Sequence, residues 1–152
     1  MMTLPRSVIT FYPLFEHDHF RKPVSVFRDS CASGSDPLMT LIYKICPRAL
    51  WQEAERDGVF RGAPVDRADG YIHFSTAEQV RETAARHFAG QDDLLLVAVD
   101  AATLGPALKW EPSRGGALFP HLYGTLPMSA VRRVVPLPLG PDGRHVFPEL
   151  AA

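Results

Sequence analysis

A chain of 152 residues is long enough to bury a core without disulfide or metal staples and short enough that one domain is the expectation. Sixteen Lys and Arg against seventeen Asp and Glu leave a formal net charge of -1, which excludes a global basic field directed at nucleic acid or an anionic membrane. The longest strongly apolar run, Leu94 to Val99, is far too short to span a bilayer, and the N-terminus lacks the charged start, apolar block and cleavage site of a secretory leader. The expectation is a soluble, cytoplasmic protein.

Residues 1–38 carry scattered prolines (Pro5, Pro13, Pro23, Pro37), the tract Ser30 to Ser35 and no sustained period, so they read as a poorly ordered extension. Phe11, Tyr12, Phe15, Phe20 and Phe27 are candidates to dock on the domain. Met39 reads as a natural start, which would leave those residues upstream of the folded unit. A single domain is then expected over 39–140, with 141–152 a loose tail.

The folded part opens with the β-prone run Leu41 to Cys46. A helix follows from about Pro47 to Asp57, with Leu50, Trp51 and Ala54 on its apolar face and Gly58 as its left-handed stop. Gly62 to Asp69 reads as a loop from its Gly, Pro and Asp content. The next stretch, Asp69 to Gln79, reads as a strand running into a second helix. Tyr71, His73 and Ser75 alternate with Ile72 and Phe74, which places the polar-tipped set on one face. Ser75 with Glu78 spells a capping box, and Ala77, Val80, Ala84 and Phe88 carry the helix to about Ala89, before Gly90. His87 lies beside that stripe and reads as an edge histidine rather than a ligand.

Asp93 to Asp100 is expected to be a central strand, because it lacks polar alternation. Ala107 to Glu111, Ala117 to Gly124 and Val131 to Leu137 supply further strands. A glycine-rich loop around Arg114 and a turn near Met128 separate them. Helices early and strands late give an α+β fold with a mixed, strongly bent or split sheet and two main helices. Cys31 and Cys46 form no CxxC spacing, and Cys46 reads as a buried free thiol. Neither a Walker loop nor GxGxxG is present.

His73, Ser75, Glu111, His121 and Tyr123 come from three strand-like segments whose ends could meet at one cleft. Ser75 reads as a helix cap before a nucleophile, since no GxSxG elbow accompanies it. Two imidazoles and a carboxylate could form a metal shell, but no HExxH spacing supports one, so no metal is expected.

Ile42-Tyr43-Lys44-Ile45, Trp51 and Gly58 around the first helix, Asp69 to Thr76 with Gln79, and Phe119 to Pro127 together resemble the bacterial family catalogued as domain of unknown function 952, over roughly 41–138. More distantly, the strand, glycine-ended helix and Ile-His-x-Ser-Thr segment resemble the NAD-binding lobe of ADP-ribosyltransferases and RNA 2'-phosphotransferases. That resemblance implies an ADP-ribosyltransferase-like fold, with Tyr43 and Lys44 at the first-strand positions. His73 and Ser75 would line the nicotinamide-ribose or phosphate part of a cleft. The chain departs from those enzymes in carrying Tyr43-Lys44-Ile45 where they place His-Gly-Thr or an arginine, and residues 1–38 do not replace the phosphotransferases' extra N-terminal lobe.

The function expected from the resemblance is binding of NAD, ADP-ribose or a related nucleotide, with ADP-ribosyl transfer or NAD cleavage as its chemistry and NAD as substrate. The expected catalytic set is His73, Glu111 and His121, with Glu111 stabilising a ribosyl cation. Tyr43, Lys44, Tyr71, Ser75, Thr76, Arg114 and Tyr123 are the expected binding set: Lys44, Arg114 and the helix start for phosphate, Tyr71 or Tyr123 for stacking. A non-catalytic nucleotide- or metabolite-binding module is the alternative, and a metal-dependent hydrolase the third reading. The expected partner is a small molecule, with neither membrane nor nucleic acid implied and oligomeric state left open.

Overall fold

The computed structural model describes residues 40–151. The proposed N-terminal extension and the start at Met39 lie outside them. The elements run β1 (Leu41–Pro47), α1 (Arg48–Asp57), β2 (Val59–Phe60), α2 (Pro64–Asp69), β3 (Ile72–His73), α3 (Val80–His87), β4 (Leu94–Asp100), β5 (Leu108–Pro112), β6 (Leu118–Leu122), β7 (Leu126–Pro127) and β8 (Val131–Leu137). The fold is α+β, and every strand pairing is antiparallel.

Among the described residues three small sheets form, in the orders β1-β4-β8, β2-β7 and β3-β6-β5. The two three-stranded sheets meet at one point. Tyr43 and Ser75 exchange both backbone hydrogen bonds, at 2.8 and 2.9 Å, so the chain just beyond β3 lies beside β1. The sheet is thus split, with the strand entering α3 as its hinge.

The β1-β4-β8 sheet is covered on both faces, which explains the unbroken apolar run of β4. Ile42, Cys46, Leu95, Val97 and Val99 pack on one side with Trp51, Phe60, Ile72, Phe74 and Leu122. Tyr43, Ile45, Leu94, Leu96 and Ala98 pack on the other with Val80 and Ala84 of α3. β4 is central, as its composition predicts, and the apolar faces of α1 and α3 are the expected ones. Cys46 is a buried free thiol, pushed up to about 12 by burial.

Three local expectations are corrected and one strand pair is added. The stretch read as a loop contains the short helix α2, opened by Pro64 and closed by Gly70 at φ 85°. The paired β2 and β7 are too short to show a period. The capping box is one residue later than expected. Thr76 Oγ1 accepts from the Gln79 N–H at 3.3 Å, and Gln79 Oε1 accepts from the Thr76 N–H at 3.1 Å. Ser75 is unavailable for that role because its backbone N–H and C=O are committed to Tyr43, so α3 proper spans Val80–His87. The segment after 140 is docked rather than loose. Phe147 and Leu150 pack on the cluster around Val80, and the Tyr43 hydroxyl donates to the Ala151 carbonyl at 2.7 Å.

Candidate functional site

The period of two places six polar or aromatic side chains on one face of the β3-β6-β5 sheet. Ile72, Phe74 and Leu122 turn inward to the core, so Tyr71, His73 and Tyr123 turn outward with their neighbours. His73 stands directly opposite His121, and His121 directly opposite Lys109, so a row of three crosses the sheet. Glu111, two residues beyond Lys109, shares its face.

The rings touch. Tyr71 stacks on His121 with centroids 4.3 Å apart and planes 25° apart, and it lies 4.8 Å from His73 and 5.1 Å from Tyr123. The two histidines meet edge to face at 5.4 Å. The Lys109 ammonium sits 4.6 Å over the Tyr123 ring.

Each histidine is held by carboxylates. Asp66, in α2, lies 2.7 Å from His73 Nδ1, accepts from the His73 N–H at 3.1 Å and from the Ala63 N–H at 2.7 Å, and takes two hydrogen bonds from Lys44 Nζ at 2.9 and 2.7 Å. Burial pushes the Asp66 carboxyl up, but the hydrogen bond from His73 and the Lys44 charge outweigh it and hold the group at about 2. Asp69 lies 3.1 Å from His73 Nε2. Both His73 ring nitrogens thus face an aspartate oxygen.

His121 has a different set of neighbours. It is 6% exposed, and its Nδ1 lies 2.8 Å from Glu111 Oε2, which the Tyr123 hydroxyl also reaches at 2.9 Å. Burial lowers the His121 pKa; the Glu111 bond opposes this, and the His73 charge adds to the lowering. His121 is therefore held neutral, with its proton on Nδ1 facing the carboxylate. Among the described residues Nε2 has no hydrogen-bond partner, and no sealed side-chain polar atom lacks one, so this nitrogen reaches the surface. Burial and the Glu111 bond push the Tyr123 hydroxyl up to about 12.

The residues expected from sequence separate into groups. Tyr71, His73, Glu111, His121 and Tyr123 converge. Lys44 joins them through Asp66, whose carboxylate takes two hydrogen bonds from its buried ammonium. Tyr43 points to the opposite face of β1 and is not part of the patch. Thr76 is tied to Gln79 across the turn that leads into α3. Ser75 and Arg114 form an adjoining chain: the Ser75 and Thr83 hydroxyls are 3.0 Å apart, Arg114 Nη2 donates to Thr83 at 3.3 Å, and its guanidinium lies 4.9 Å over Phe119. No three His, Cys, Asp or Glu side chains among the described residues are disposed to hold a metal ion. His73 and His121 instead each turn a nitrogen to a carboxylate.

The family described as "Protein of unknown function (DUF952)" matches residues 45–134, more than half of the chain, including every member of the converging group. The chain belongs to this family. It is 55% identical to protein CC0527 from Caulobacter crescentus, whose crystal structure superposes with a TM-score of 0.69, covering 70% of this chain and 94% of that one. The solution NMR structure of the same protein gives 57% identity, a TM-score of 0.64 and coverage of 70% and 91%. None of the curated proteins matches.

In this member of the family, sequence reasoning missed Asp66, Asp69 and Lys109. The aspartates were hidden in the apparent loop that is α2. The available signal was Asp66 two residues after Pro64, the third residue of α2, from which a carboxylate reaches back to the N–H of the residue before the helix.

Proposed function

We propose that the outer face of β3-β6-β5 binds NAD, ADP-ribose or a related nucleotide, in an ADP-ribosyltransferase-like arrangement of the split sheet. The observation that carries this reading is the placement of His73 directly opposite His121, ringed by Tyr71, Tyr123 and Glu111. Tyr71 and Tyr123 offer rings for stacking. Asp69 is suited to ribose hydroxyls, and Arg114 beside Ser75 and Thr83 to a phosphate. The split sheet, bridged by backbone hydrogen bonds between Tyr43 and Ser75 next to this patch, supports the wider architectural comparison.

Calorimetric titration with NAD, ADP-ribose and NADP tests the proposal. Saturable heat with at least one of them, reduced tenfold or more in affinity by His73→Ala, is expected. Absence of heat and of any melting shift with all three contradicts it.

A further inference from the structure

The two histidine rings lie 5.4 Å apart and differ in what their nitrogens meet. His73 has a carboxylate at each ring nitrogen, so neither nitrogen is open to a ligand. His121 has one carboxylate, at Nδ1, and a surface-reaching Nε2. Glu111 has its oxygens engaged by His121 and Tyr123, so its charge acts through the ring rather than directly on a ligand.

We propose that Glu111 and His121 form a carboxylate–imidazole base, whose free Nε2 removes a proton from an O–H nucleophile as that oxygen attacks the ribose C1 of the bound nucleotide. The step rests on the nucleotide reading above. An oxygen lone pair forms the C1–O bond. The C1–N bond breaks with its electron pair going to the nicotinamide nitrogen, nicotinamide leaves neutral, and the proton on Nε2 passes to solvent. His121 is the catalytic residue and Glu111 the positioning residue. Tyr71, stacked on the imidazole, shields it from bulk water and limits its rotation.

The groups facing His121 set the sign of its pH dependence. From β5 come Glu111 and Lys109; from β6, Tyr123; from β3 and the residues before it, His73 and Tyr71; from α2, Asp69. Activity therefore rises with pH as His121 loses its second proton, and the limb lies below the ordinary imidazole range because burial outweighs Glu111.

The test uses the full chain. Long-range nitrogen NMR of the wild type at neutral pH is expected to show His121 as the Nδ1–H tautomer. Nicotinamide release from NAD is expected to follow the basic form of one group. In Glu111→Gln the limb moves to lower pH and the rate falls, because the carboxylate that stabilised the imidazolium is gone. A merely structural role would scale the rate without moving the limb. His121→Asn loses on the order of 100-fold or more of the rate while still binding ADP-ribose. Free ADP-ribose as product marks water as the nucleophile, and a covalent adduct marks another hydroxyl; either supports the base. An Nε2–H tautomer, an unmoved limb in Glu111→Gln, or nucleotide binding without nicotinamide release overturns the step and leaves the binding reading standing. Failure of both NAD and ADP-ribose to bind overturns both.

Discussion

Asp66 is the residue on which the candidate site turns, because it satisfies Lys44 and His73 at once from a position that is 2% exposed. Removing one partner of a buried ion pair strands the other charge, so Asp66→Ala is expected to cost about 3–5 kcal/mol in urea denaturation. Asp69→Ala, at the partly exposed nitrogen of the same ring, should cost less than about 1 kcal/mol while weakening ligand binding. The pH dependence follows from the same group. Its folded pKa of about 2 lies below its unfolded value near 4, so its contribution is complete above about pH 4 and is lost as pH falls toward 2. His121 and His87 act in the same direction at higher pH. Burial lowers both, so their contribution is complete above about 6.5 and declines below it as the unfolded chain takes up protons more readily. A series of urea midpoints from pH 8 to 3 is expected to fall in these two windows, and a midpoint constant across both would contradict the assignments.

At the scale of the element, the start of α3 and the turn before α2 make the sharpest predictions. Thr76→Ala or Gln79→Ala breaks the reciprocal cap and is expected to cost about 1 kcal/mol, whereas Glu78→Ala should stay within about 0.5 kcal/mol. Thermal denaturation of the three variants distinguishes this cap from one centred on Ser75. Gly62 has φ +96°, and a Cβ there would stand 2.8 Å from the Asp66 Cβ. Gly62→Ala is therefore expected to destabilise by about 1–3 kcal/mol and to perturb the His73 resonance as well. These elements also show where sequence was informative. The periods of α1, α3 and β4 were legible because each spans enough residues to repeat. α2 and the β2-β7 pair were not, because six-residue and two-residue elements draw their stability from partners distant in the chain. The one-residue error at the α3 cap has the same origin: the sequence around Ser75 does not reveal that Tyr43 has already taken its backbone groups.

Across the whole molecule, the split between the two three-stranded sheets lets one sheet be buried on both faces while the other leaves a polar face outward. Alternation along Tyr71 to Ser75 indicated which side chains would share that face, and the register of β3 against β6 set His73 opposite His121. What alternation could not convey was the support behind the face, since Lys44 and Asp66 meet only through the packing of β1 beneath α2. The most direct measurement is chemical-shift mapping of the labelled full chain with ADP-ribose. Saturable shifts centred on Tyr71, His73, Glu111, His121 and Tyr123 are predicted; shifts confined to the α1 and β8 surfaces, or none at millimolar ligand, would contradict the site.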